Sequence, residues 1–189
     1  MKVITIFSTA SAVLLSACAS ATPPSITADQ VTAIGTKYER LSALPDTAIA
    51  DLPPGAAQFD GHLGGEISGD ADGSVLGDMT MNVNFAGNTI TGTVDNLNLI
   101  SDDGIPERLL GGSLSIAGSE ADGILTATAT GTLDAVGEES VRGSSDVTLS
   151  MNGNVLTDVT AGDTVEGSLS GSGSGDFDIN IYNGGFFGQ

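Results

Sequence analysis

The stretch NVNFAGNTITGTV, residues 82–94, constrains the fold of this chain more than any other. On either side of Gly87-Asn88, apolar and polar residues alternate. That is the period of an extended strand with one buried and one wet face. A short Gly/Asn turn between two alternating runs marks a β-hairpin. With Gly87-Asn88 as a two-residue loop, Phe85 faces Ile90, Val83 faces Gly92 and Met81 faces Val94. Asn84 then meets Thr91 and Asn82 meets Thr93 on the other side. A slip of one residue would mix the two faces, so the alternation specifies the register.

The same pattern recurs down the chain. In SIAGSEADGILTATATGTL, residues 115–133, an Asp122-Gly123 turn sets Ile116 opposite Ala129 and Leu114 opposite Gly131. Thr126, Thr128, Thr130 and Thr132 then share the wet face. Further strands are expected at 56–68, 143–151, 163–170 and 176–183, with Phe177, Ile179 and Ile181 alternating in the last. About eight strands with closely spaced turns and no second helix describe an all-β fold, an antiparallel up-and-down β-barrel or a sandwich, preceded by a short α-helix. Glycines recurring within strands favour a small barrel, where bends and close backbone approach need residues without Cβ. Aromatics are only 4% and Trp is absent, so Val, Ile, Leu and Ala with a few Met and Phe must build the core. A barrel spanning a membrane would carry aromatic girdles, so the apolar faces are expected to point inward.

The region before residue 56 is different in kind. Met1-Lys2 and the apolar run VITIFSTASAVLL, residues 3–15, have the layout of a secretory signal peptide and are too short to span a bilayer. Leu15-Ser16-Ala17-Cys18 follows, and Cys18 is the single cysteine of the chain. This resembles the bacterial lipobox. The resemblance implies cleavage before Cys18, acylation of its thiol and new amino terminus, and stable membrane anchoring by several chains. Ala19, in place of Asp, is similar to Gram-negative lipoproteins exported to the outer membrane. After the short linker ATPPS, Val31, Ile34, Tyr38 and Leu41 follow a helical spacing. Thr27 and Gln30 stand at capping-box positions, Lys37 and Arg40 lie in the last turn, and Pro45 stops the helix. Gly35 weakens its middle. This helix is expected either to cap a domain or to serve as a stalk. DLPPG, residues 51–55, marks a boundary, which divides the chain into a signal peptide (1–17), an acylated cysteine with linker and helix (18–55) and a β-domain (56–189).

Charge narrows the function classes. Acidic residues number 24 against 5 basic ones, a net charge of −19, and removal of Lys2 with the signal peptide takes it to −20. Nucleic acids and anionic headgroups both need basic surface and are therefore excluded as partners. The acidity serves either solubility, for instance in salt, or binding.

Motifs for chemistry are sparse. His62, the single histidine, alternates onto the polar side with Asp60 and Glu66, away from Phe59, Leu63 and Ile67. One histidine without a second nitrogen or sulfur ligand makes a poor zinc or haem site, so a solvated strand histidine is expected. GDADGSVLGD, residues 69–78, offers Asp70, Asp72 and Asp78. The spacing of a calcium-binding EF-hand loop fails, with Val75 where Gly is needed and Met81 where Glu is needed. SGSGSG, residues 170–175, lacks the lysine and helix of a phosphate loop and reads as a flexible turn. No nucleophile–base pair, metal cluster or cofactor motif supports catalysis. In ISDDGIPERLL, residues 100–110, Asp102, Asp103, Glu107 and Arg108 interleave with Ile105 and two leucines. That composition suits either a partner-binding surface or a loop folded over one mouth of a barrel.

One family resemblance runs through the β-region. The order of lipobox, short helix, Leu-Pro boundary, GAAQFDGHLGG, VNFAGNTITGTV and GGFFG is similar to that of small bacterial surface lipoproteins with a transferrin-binding-protein-B-like β-barrel domain. In that family an alternating strand ends in Asp/Asn-Phe before a Gly-containing turn and a T-x-T/S-G strand. Asn84-Phe85 and Thr89-Ile90-Thr91-Gly92 match it, and Gly184-Gly185-Phe186-Phe187-Gly188 approximates the family's G-x-F-Y-G. The resemblance covers residues 1–18 and about 56–189. It implies one lipid-anchored barrel on the outer membrane that binds a protein or a small iron-carrying, haem-like ligand without catalysis. The family usually adds an acidic turn and one more strand after F-Y-G, whereas this sequence reaches Gln189 directly, which leaves barrel closure open. The alternative of a different class is a structural envelope lipoprotein with no specific ligand.

Overall fold

In a computed structural model, residues 20–137, 140–160 and 162–189 are described. The alternating segments form strands: β1 (Ala56–Gly69), β2 (Gly73–Asn84), β3 (Thr89–Ile100), β4 (Pro106–Leu109), β5 (Gly111–Ala121), β6 (Ile124–Ala135), β7 (Gly143–Asp158), β8 (Gly162–Gly175) and β9 (Ile179–Gly188). Each long strand pairs antiparallel with its neighbours in sequence, and β3 pairs with β5 past the short β4. β9 returns to β1, with Leu63 opposite Phe186 and Ile67 opposite Ile181. The result is a closed up-and-down barrel of eight long strands, with β4 as an extra strand against the end of β3. The sandwich alternative is thereby removed, and the GGFFG segment forms the second half of the closing strand.

An eight-stranded barrel is just wide enough for inward side chains to fill it. Phe59, Leu63, Ile67, Met79, Met81, Val83, Ile90, Val94, Leu114, Leu149, Ile181 and Phe186 do so, each almost wholly buried. The wet face is rich in hydroxyls, with Thr126, Thr128, Thr130 and Thr132 of β6 all exposed. Ile116 pairs with Ala129 and Leu114 with Gly131, as the Asp122-Gly123 turn requires. Both turn residues have positive φ, 54° and 84°, the conformation of a two-residue type I′ hairpin.

The hairpin around residue 87 departs from expectation by two residues. Asn84 pairs with Thr89, Val83 with Ile90 and Met81 with Gly92, so the loop is Phe85–Asn88. A two-residue shift keeps every side chain on its face, so alternation alone does not oppose it. Local bonds decide: the Asn84 carboxamide oxygen accepts from Gly87 N at 2.9 Å, and Phe85 N donates to Gly55 O at 3.0 Å. Phe85 therefore leaves the ladder and lies half-buried against the core edge.

SGSGSG is a strand, contrary to its reading as a flexible turn. It forms the end of β8, with Ser170, Ser172 and Ser174 outward and Gly171 and Gly173 inward. A Cβ on Gly171 would collide with the backbone of Thr148 and Leu149 on β7. These glycines let the two backbones approach, which low complexity disguises as flexibility.

The N-terminal segment is bound to the outside of the barrel. Leu109 N donates to Thr22 O at 3.0 Å, and Asn98 accepts from Ser25 N at 2.8 Å. Helix α1 (Ala28–Leu41) then begins with the expected capping box of Thr27 and Gln30. Beyond it, Thr47 N bonds Val155 O, and Thr157 N bonds Pro45 O. The helix is thus a strap across the barrel, and the stalk alternative falls.

Candidate functional site: the groove beneath helix α1

Two adjacent apolar residues break the strict alternation in several strands. Val75 and Leu76, Leu99 and Ile100, and Phe186 and Phe187 are each buried at both positions. One member of each pair faces into the barrel, so the other needs cover from outside. Register assigns Leu76 and Phe187 to the outer face, opposite Gly64 and His62 of β1. The cover is α1. The Tyr38 ring centroid lies 6.3 Å from that of Phe187, and Lys37 Nζ sits 5.3 Å from the same ring. Leu41 at the helix end is fully buried. Arg40 ties that end to the buried Asp158 carboxylate at 2.7 Å.

The cover is incomplete, and a groove of about 300 Å³ remains between helix and sheet. Its helical wall is Val31, Ile34, Gly35 and Tyr38, one face of α1 at spacing i, i+3, i+4, i+7. Its floor includes Gly64 and Gly185, flanked by Leu76, Ile100 and Phe187. Its polar lining includes His62, beside Phe187, and Glu66, whose carboxylate accepts from Asn183 Nδ2 at 3.2 Å and which pairs with Ser74 across the ladder. Val31 and Ile34 are only half-buried. A Cβ on Gly35 would meet nothing within 4 Å, whereas one on Gly185 would lie 2.5 Å from the Tyr38 hydroxyl oxygen. Gly185 is needed for helix approach, and Gly35 is not. An apolar concavity with a few converging polar groups is the usual form of a small-ligand site, and this volume lies at the small end of that range.

Tyr38 divides this groove from a second, more polar hollow beside Glu166. Burial raises the Tyr38 pKa above its ordinary value, and the negative charge and hydrogen bond of Glu166 raise it further. The Tyr38 hydroxyl is thereby held protonated as a donor to Glu166.

His62 is half-buried under α1, 28% exposed, and β1 is not an edge strand. This corrects its reading as a solvated histidine. Its Nδ1 lies 3.1 Å from Asp78 Oδ1, yet the approach is off the line of a hydrogen bond. Its ring meets Phe187 edge-on at 5.6 Å. Asp70 and Asp72 occupy the β1–β2 turn, while Asp78 lies within β2. Among the described residues, no group of three His, Cys, Asp or Glu could hold a metal ion.

The 100–110 segment divides in two. Asp102, Asp103 and Ile105 are exposed on the β3–β4 connection, with Ile105 57% exposed, and Glu107 is exposed on β4. Arg108 is not with them. It is buried on β4 and donates to Val141 O at 3.2 Å, binding β4 to the β6–β7 connection. Cys18 and the signal segment lie outside the described residues.

No family model matches the chain, and comparison with curated proteins and with solved structures likewise finds no match.

Proposed function

We propose that this chain is a non-catalytic binding module, held by lipid on Cys18 at the outer membrane of a Gram-negative bacterium, with a small-ligand seat between α1 and the barrel. The observation that carries the binding role is the groove: an amphipathic helix is tied down at both ends yet leaves its apolar face half-covered. The lipobox-like Leu15-Ser16-Ala17-Cys18 supports the tether. The resemblance to transferrin-binding-protein-B-like lipoproteins supports surface display and capture, with an iron-carrying or haem-like ligand as that family's implication. A tether confines the domain near membrane partners and raises its effective concentration there. The exposed Asp102, Asp103, Ile105 and Glu107 are the proposed contact for a protein partner, steered by the chain's negative charge.

Binding of a neutral solvatochromic dye to the Cys18→Ser chain tests the groove. A single saturable site, lost when Gly35→Leu fills it, is the expected result. A chain that never takes up the dye would favour the structural envelope role instead.

A further inference from the structure

We infer that the groove beneath α1 selects a small cationic amphiphile, an apolar chain or ring ending in a protonated amine. This inference rests on the reading of the groove as a ligand seat and adds the chemistry of its occupant. The walls are largely apolar, with Val31, Ile34, Leu76 and Ile100 lining the space and His62 among the polar residues beside them. The carboxylate in the lining is Glu66, oriented by Asn183 at 3.2 Å. Glu66 is exposed and lines the groove. Among the groove's lining residues there is no Lys or Arg to neutralise it. The net charge has the same sign, since the chain carries −19, with Lys37, 5.3 Å from the Phe187 ring, as a cation beside the groove. An anionic amphiphile would meet repulsion both on approach and at its seat, whereas an ammonium gains steering and a charge-assisted hydrogen bond. The volume of about 300 Å³ limits the occupant to a short chain or a single ring system.

The test uses the full chain with Cys18→Ser and three probes of equal chain length: hexylammonium, hexanol and hexanoate. Methyl NMR of Val31, Ile34, Leu76 and Ile100 reports binding. Saturable shifts are expected with hexylammonium, at an affinity about tenfold above hexanol, the size of one charge-assisted bond. Hexanoate should bind more weakly than either. Glu66→Gln should bring hexylammonium to the level of hexanol and leave hexanol unchanged. If all three probes bind equally, or Glu66→Gln changes nothing, the cationic preference is overturned while the groove remains a ligand seat. If none of the probes moves these methyl groups, the seat itself is overturned and the preference with it.

Discussion

Two glycines on opposite walls of the groove should respond to the same substitution with opposite signs. Gly35 lies mid-helix, where glycine costs about 1 kcal/mol relative to alanine. A methyl group there meets nothing within 4 Å, so no clash offsets the gain in helix propensity. Gly35→Ala should therefore stabilise docked α1 by about 1 kcal/mol. For a chain of this size, that corresponds to about 2–4 °C in Tm if helix and barrel unfold together. Gly185→Ala has equal chemistry and an opposite setting, because its new Cβ would lie 2.5 Å from the Tyr38 hydroxyl oxygen. The ring must lift, with loss of its contacts to Phe187 and Glu166, at a cost of about 1–3 kcal/mol as in other overpacked sites.

Thermal unfolding followed by circular dichroism, with amide hydrogen exchange of residues 31–41, distinguishes the cases. Should α1 open separately from the barrel, the Gly35→Ala gain leaves Tm unmoved and appears as about fivefold slower exchange in the helix. A Gly35→Ala protein with a faster-exchanging helix, or a Gly185→Ala protein indistinguishable from wild type, would refute the placement of α1 and the groove with it.

Other consequences are equally direct. Met81→Ala, inside the barrel, should cost about 2–5 kcal/mol, whereas Phe85→Ala should cost less than the ~3–5 kcal/mol of a fully buried phenylalanine. Urea midpoints in the reverse order would restore the two-residue loop. The Tyr38 pKa is raised in the folded state above its ordinary value of 10.0. The folded chain therefore holds that proton more tightly, and the associated stability is present below pH 10 and lost as pH rises through the higher folded value. Tyrosinate absorbance should show Glu166→Gln titrating Tyr38 at lower pH than wild type, and an unchanged curve counts against their contact. Cys18→Ser should leave the membrane fraction or remain unprocessed, and mass spectrometry showing an unmodified Cys18 in the mature wild type would remove the tether. Replacing Asp102, Asp103 and Glu107 with Asn, Asn and Gln should slow association with a cationic partner without altering Tm, and an on-rate indifferent to both that change and salt would exclude electrostatic capture.

Parity was legible in the sequence, and register only where turn chemistry was unambiguous. Asp122-Gly123 fills both positive-φ positions of its turn, so the loop has one solution and Ile116 meets Ala129 as expected. In the other hairpin, the left-handed position is Asn88, while the Asn84 side chain caps Gly87 from outside the loop. Alternation tolerates any even shift, so a side-chain cap, which has no period, settled the matter. SGSGSG misled for a related reason. Strands lacking β-branched residues carry no propensity signal, and the glycines of β8 are explained by the neighbouring β7 backbone, which a local reading does not contain.

The groove was written in the sequence as a flaw in the pattern. Val75-Leu76, Leu99-Ile100 and Phe186-Phe187 put apolar residues on both faces of strands whose outer face is elsewhere polar. A solvated barrel has no use for Leu76 or Phe187 outside, so something apolar had to lie over them. The helix stripe Val31, Ile34, Tyr38 was an apolar face free to do so. Matching the doubled strand positions to that stripe places α1 over β1, β2 and β9. It would not have shown the gap. That depends on Gly35 lying above open space while Gly185 lies hard against Tyr38. Two glycines identical in sequence thus have opposite physical meanings, one required for contact and one bordering open space.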